Sequence, residues 1–433
     1  MTDAAPASVV PTPLILIGIS GHVLSSAVTV MLARQLSIDA FETFVAVAAI
    51  FTIMVASAPF GVDKLALVVV PPLHRQRDWA AVADFLRFAI RRAAFGVAVM
   101  GAVGVAWALS RFPVPHLPEE RAALLLGVLV LPVGVAAYMG FEVLSALGQA
   151  RQAATIFRVG VPGLALAAVA VTGLGGVTLS GAGAIMIWAF AWSVGAAVSW
   201  SVIHRLRPHR MRGFPDARAC RSWSRLALPL WAYRVGFALM ANAGLIALYR
   251  FGHPAHIVGA YAAAATVAGL MSVMVTSTNR AYAREVALHL DLGDQAALKA
   301  LVRARLRWIV PVVSVMLTVV FLVPEGILGI FGPTFVAEGV LPLQILAIAA
   351  AQSMVLALTP TRLKHAGRHG RVLGAIFFAL TLQVVLLVIL VPKGGAPGAA
   401  VSFLAGITGL HLYMAFDGWV SHAKQPINKR MGR

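Results

Sequence analysis

The sequence predicts an all-α integral membrane protein of about twelve transmembrane helices in two six-helix lobes. Three observations lead there. The 433 residues are 60% hydrophobic and only 12% charged, with a mean hydropathy of +0.87. That is more apolar side chain than a soluble protein of this size could hide, so the bilayer must solvate most of it. Apolar runs of membrane-spanning length recur along the whole chain. Finally, one stretch repeats half a chain away. Asp294 to Arg307, DQAALKALVRARLR, follows Asp78 to Arg91, DWAAVADFLRFAIR, by 216 residues, with Asp, two Ala and two Arg identical in register. Repetition at half the chain length indicates a duplicated architecture.

Reading apolar runs in order gives roughly 13–33, 40–60, 88–110, 121–144, 152–173, 181–203, 226–250, 256–277, 308–331, 337–360, 370–391 and 397–420 as spans. The third is the least clean, because Arg87, Arg91 and Arg92 stand at its start. The N-terminus has no basic region and no cleavage signal, so the first run reads as a retained span. Basic residues set the orientation. Of 35 Lys and Arg, 29 fall by the even-numbered connections and the C-terminal tail. The sixth connection holds Arg205, Arg207, Arg210 and Arg212, the eighth Arg280 and Arg284, and the tail Lys424 to Arg433. The odd-numbered connections hold Arg34, Arg111, Arg121, Arg250 and Lys393. Both termini and the basic connections are therefore expected in the cytoplasm.

The net charge of +19 could suggest nucleic acid, but its placement between apolar runs is that of loops beside anionic lipid, so no nucleic-acid partner is expected. A single Cys220 excludes an internal disulfide and a cysteine metal site. There is no Walker phosphate loop, HExxH or GxSxG, and neither a cofactor nor enzymatic chemistry is expected. No connection is long enough for a soluble domain; the longest outer one is RFPVPHLPEER from Arg111. The two repeated stretches read as amphipathic helices at the inner interface, with Leu298, Leu301, Val302 and Leu306 on one face.

The flanks of the repeat extend the duplication. Leu32 to Arg34, LAR, aligns with Leu248 to Arg250, LYR, and LSALGQAR from Leu144 resembles LKHAGRHGR from Leu363. Dividing the chain at 1–210 and 211–433 gives six spans to each lobe, so both enter from the same side. A pseudo-two-fold axis along the membrane normal would relate them, with a cleft between.

Several residues are candidates to line that cleft. Arg234 lies about two turns into the seventh span, where an ionisable group is costly unless it faces protein, water or a counter-charge; snorkelling to the headgroups is the alternative. Ala238 and Asn242 continue its face. In the first span, Gly18, His22, Ser25 and Thr29 form a small polar face, which suits either a cleft or tight helix packing. Arg34 and Arg250 occupy equivalent outer ends, as anion contacts or as interfacial anchors. Glu142 and Asp417 lie near inner ends, as ligands of a coupling ion or, the favoured reading, solvated or paired with a local Arg; Asp63 and Lys64 are expected at the inner boundary of the second span.

Larger stretches resemble a known family. LALPLWAYRVGFALMANAGLIALYRFGHPAHIVGAYAAAATVAGLM from Leu226 resembles the seventh and eighth spans of polysaccharide flippases of the multidrug/oligosaccharidyl-lipid/polysaccharide (MOP) exporter superfamily, with the Gly-x-Tyr that begins their eighth span at Gly259 and Tyr261. EGILGIFGPTFVAEGVLPLQILAI from Glu325 and LARQLSIDAFETFVAVAAI from Leu32 resemble the family's ninth-to-tenth and first-to-second connections. The resemblance covers nearly the whole chain. It departs at Thr43, where Gly is usual, and in the seventh span, where Asn242 stands near the usual acidic position. The resemblance implies a MATE-like V of two lobes that flips a polyprenyl-pyrophosphate-linked oligosaccharide by alternating access. It implies a bacterial inner membrane and partners that are lipid-linked oligosaccharide, membrane lipids and polysaccharide assembly proteins. A guanidinium at Arg234 would suit the pyrophosphate. A drug or metabolite exporter of the same superfamily is the alternative, as is, in a different class, a membrane-embedded polymerase or glycosyltransferase. A peptidoglycan precursor as cargo also stays open, as do the sugar and the coupling ion.

Overall fold

The computed structural model describes residues 12–109, 118–206 and 216–422, without the side chains of 12, 15, 272–281, 284 and 417–422. Residues 1–11, Arg111, Arg207, Arg210, Arg212 and the tail from Lys424 lie outside the described residues, as do the side chains of Arg280, Arg284, Asp417 and Trp419. Every described element is a helix or helical turn.

The first lobe opens with α1 (Thr12–Gln35) and α2 (Ile38–Ser57), joined by a corner at which the Ser37 hydroxyl accepts the Ala40 N–H at 3.2 Å. The chain breaks at Phe60 and Gly61, both at positive φ, and resumes as α3 (Val62–Arg75). The second span, Ile38–Ser57, thus ends just before this break, close to the expected 40–60. Next come α4 (Trp79–Leu109) and α5 (Pro118–Ala146). Then α6 (Ala150–Ala154) passes through a π-helical turn, Thr155–Gly160, into α7 (Val161–Leu174), and α8 (Gly181–Leu206) follows. The second lobe holds α9 (Ala217–Arg250), α10 (Ala255–Asp291), α11 (Gln295–Leu322) and the short α12 (Pro324–Gly329). It ends with α13 (Val336–Leu356), α14 (Leu358–His365) and α15 (His369–His422). Gly395 in α15 has non-helical φ/ψ and folds it into two arms.

Ten of the described helices are long and apolar enough to cross a membrane. The two arms of α15 make two crossings of one, and the apolar Ala255–Met271 portion of α10 adds another, so the expected twelve are all represented. Large apolar side chains such as Leu129, Phe377 and Val388 stand exposed, as lipid-facing residues do. We call the end carrying the arginine-rich connections the basic end.

The repeated stretch differs from expectation. Neither 78–91 nor 294–307 is a separate interfacial helix; each is the first four turns of a spanning helix, α4 or α11. Their amphipathic face is satisfied by protein rather than lipid: Leu298 is buried against Val286 of α10 and Leu358 of α14.

The lobes pack by exchange. On one side of the seam α2 and α3 lie on α9; on the other α1 lies on α10, with α2 also touching α10. Inside the first lobe, Phe51, Tyr138, Phe141, Phe157, Trp188 and Trp192 form one aromatic cluster from α2, α5, the π turn and α8, with ring centroids 4.8–5.8 Å apart among its contacts. These tryptophans thus pack the interior rather than a headgroup belt.

Candidate functional site: the seam between the lobes

Arg234 stands in the seam. It is about three turns beyond Trp223 on α9, and its guanidinium pairs with the carboxylate of Asp63 at the start of α3. The same guanidinium lies over the ring of Tyr138 on α5, 4.7 Å from the centroid. Both partners belong to the first lobe. Asp63 is fully buried and Arg234 nearly so. The expectation that Asp63 and Lys64 mark a membrane boundary misses this role. Asp63 is aimed inward because the chain breaks at Phe60–Gly61 and restarts α3 beneath α9. Lys64 next to it pairs with Glu142 of α5, also buried. Glu142 is therefore neither solvated nor bound to an Arg. Two acids and two cations thus neutralise one another around Tyr138.

The basic end of the seam is closed by further contacts around this pair. The Trp231 indole donates to the Ser57 carbonyl at 2.8 Å, and Trp231 also packs on Phe60 with centroids 5.8 Å apart. Arg92 of α4 donates to the Ser224 hydroxyl at 2.6 Å and covers Phe60 and Phe88. Trp223 stands between Phe85 and Phe88.

The opposite end is closed too, by the arginine pair. Arg34, at the end of α1, donates to the carbonyl of Ile330 at 2.6 Å and to that of Gly329 at 3.4 Å, at the C-terminus of α12. Carbonyls left free at a helix end are good acceptors for a cation. Arg250, at the end of α9, lies over the Trp107 ring at the end of α4, 4.9 Å from the centroid. Each arginine thus leaves its own lobe and touches the other. Phe41 on Phe335, centroids 5.5 Å apart, reinforces this end.

The remaining candidates are quieter. Asn242 donates to the Ala238 carbonyl one turn back at 2.8 Å, and Ser25 to that of Gly21 at 2.9 Å, so both side chains serve their own helix. His22 is half-buried on α1, beside Gly21, whose hydrogen faces the backbone of Arg158 in the π turn. The structure brings Arg234, Arg34 and Arg250 to lobe contacts, while these hydrogen bonds of Asn242 and Ser25 stay within their own helices. Asp63 and Tyr138 were missed by sequence reasoning. An acid in an apolar run, at the break marked by Pro59 and Gly61, was the available signal for the first.

Solved structures of membrane transporters share this two-lobe helical fold. The lipid II flippase MurJ in an inward closed conformation aligns at TM-score 0.70 and 14% identity, over 94% of this chain and 87% of that one. A MATE transporter in complex with MaL6 aligns at TM-score 0.67 and 14% identity, over 95% and 96%. The inward-facing form of a multidrug resistance MATE family transporter of the MOP superfamily aligns at TM-score 0.62 and 14% identity, over 95% of each. At such identities the likeness is one of fold. No family model and no curated protein matches the sequence.

Proposed function

We propose that this chain is a flippase that moves a polyprenyl-pyrophosphate-linked oligosaccharide across a bacterial cytoplasmic membrane by alternating access, for surface polysaccharide synthesis. In this reading the lobes divide at 1–210 and 211–433, both termini are cytoplasmic, and no covalent bond changes. The observation that carries it is the Arg234–Asp63 pair in the seam. Asp63 acts as a built-in anion, holding the guanidinium ready while the lobes are together. A pyrophosphate arriving from the basic end offers the same fork of donors a stronger, bidentate acceptor, and takes the place of the carboxylate as the lobes part. Arg34 and Arg250 then hold the far end shut until the basic end closes again. His22, Ser25 and Asn242 would meet the sugar only once the lobes separate.

The drug-exporter alternative needs an acid free to hold a cation. At the basic end of the seam Asp63 and Glu142 are instead each matched by a basic residue, which favours an anionic cargo there.

The test is flipping of a lipid-linked oligosaccharide in proteoliposomes, scored by accessibility of the sugar to an external hydrolase. Arg234→Ala and Arg234→Glu should abolish it. Removing one partner of a buried pair costs about 3–5 kcal/mol, so lost folding must be separated from lost binding. The double variant Arg234→Ala, Asp63→Asn leaves no buried charge unpaired; it should insert and stay folded yet fail to flip. Normal flipping by Arg234→Ala and Arg234→Glu would sink the proposal.

A further inference from the structure

Arg158 is a guanidinium that the reading above leaves unused. It lies about two turns into the crossing Ala150–Leu174, within the π turn Thr155–Gly160. A charge at that depth is costly unless it faces protein, water or a counter-charge, and π turns inside α-helices frequently mark functional positions. Helix α1 comes close at the same turn. A Cβ on Gly21 would strike the Arg158 carbonyl and come 2.8 Å from the Arg158 Cβ. From that contact the half-buried side chain faces the interior of the first lobe: its charge acts on the His22 imidazole of α1 and on the Tyr138 hydroxyl of α5. Phe157, the residue before it, packs on Tyr138 as well, ring centroids 4.8 Å apart.

Tyr138 is thus shared by two guanidiniums, one from each lobe. Arg234 of the second lobe lies 4.7 Å from its ring centroid, and Arg158 of the first acts on its hydroxyl. If the lobes part, Arg234 leaves Asp63 with the second lobe, while Arg158 stays beside Tyr138. An anion with one charged group could satisfy either guanidinium. An anion with two could hold both, and so stay bound across the opening seam. The first lobe alone carries this arrangement, since the 216-residue offset takes Arg158 to Gly374 and His22 to Ala238.

Resting on the flippase reading, we propose that Arg158 is the first-lobe half of the anion site, taking one phosphate of a diphosphate headgroup while Arg234 takes the other. Each planar fork grips one phosphate in a fixed orientation. The pair therefore selects a diphosphate over a monophosphate.

The experiment measures binding of farnesyl diphosphate, farnesyl monophosphate and farnesol to the full chain in nanodiscs of zwitterionic lipid, and again with phosphatidylglycerol added. The wild type should prefer diphosphate to monophosphate by about tenfold or more, and farnesol should bind least. Arg158→Gln should bring the diphosphate down to the level of the monophosphate and leave the monophosphate, held by Arg234, nearly unchanged. Arg158→Lys keeps the charge without the fork and should retain part of the preference. Arg234→Ala should weaken both phosphates. An Arg158 that merely joins the π turn to α1 would, when replaced, lower both phosphates alike, and that result overturns the inference. If Arg158→Gln keeps the preference while Arg234→Ala loses binding, the inference falls and the flippase reading stands. If Arg158→Gln changes only the response to phosphatidylglycerol, Arg158 is a bilayer headgroup contact and the inference is overturned. If the wild type binds farnesyl diphosphate no better than farnesol, both fall together.

Discussion

Gly61 shows how finely the seam is set. Its φ of +79° is one that side chains avoid, and a Cβ there would meet the Ala227 carbonyl and come 2.8 Å from the Trp231 nitrogen, both on the other lobe. Gly61→Ala should therefore push α9 away from α3 and open the basic end. Cys220, the lone thiol, lies in the first turn of α9 and reports on this without engineering. Its maleimide labelling should be several-fold faster in Gly61→Ala than in the wild type; an unchanged rate would show that the contact is not what holds this end. At this scale the sequence was half legible. Arg234 stood out because a charge deep in an apolar run is expensive. Its partner did not, because Asp63 sits in a different lobe and no local spacing connects the two. Glu142 was misjudged for the same reason. Its partner Lys64 is 78 positions away and meets it only after α3 folds against α5.

The repeated stretch is exact in its backbone. The Asp78 N–H donates to the Leu73 carbonyl and the Asp294 N–H to that of His289, both at 3.0 Å. The carboxylate of Asp78 accepts the Ala81 N–H at 3.0 Å, and that of Asp294 accepts the Ala297 N–H at 2.9 Å. The residue before each aspartate, Arg77 or Gly293, has positive φ. Each unit ends one helix and caps the next, which is why the aspartate is kept. Asp78→Ala and Asp294→Ala should each cost about 1 kcal/mol, read as a lower melting temperature, and Asn at either position should restore most of it. Equal melting of Ala and wild type would deny the caps this role. The hydrophobic periodicity correctly gave helix here. It could not distinguish a face laid on lipid from one laid on protein, because Leu298 is apolar in either setting. The copies also diverge: Arg305, buried and donating to the Val355 carbonyl at 3.4 Å, stands where the first copy has Ala89.

Across the whole molecule, the 216-residue offset turns one lobe contact into another. Arg34 maps onto Arg250, and both reach across the seam. Arg234 maps onto Gly18 and Asp63 onto Asn279, so the duplicated partners of the buried ion pair carry no charge. At the mapped positions the charged lock exists on one side of the pseudo-axis, and under the proposed function that is the side a charged cargo would work upon. Twelve crossings and two lobes were legible because burial in lipid writes itself into hydropathy and loop charge. The closure of the seam at both ends was not, since it depends on how two preformed lobes dock. Closure predicts that a cysteine pair replacing Arg92 and Ser224, or Arg34 and Ile330, in a Cys220→Ser background should be joined by a short bifunctional thiol reagent. Either link should halt flipping, and reduction of a cleavable reagent should restore it where the arginine removed is dispensable. Continued flipping with either end linked would exclude rocking of the lobes.

Lobes that touch at both ends also make two barriers in series. Under the proposed function, opening one leaves the other standing, so a charged headgroup would enter from one side without a continuous wet path to the other. A transporter of the proposed kind would then work in an energised membrane without short-circuiting it. The contacts of Arg34 and Arg250 are insulation as much as architecture.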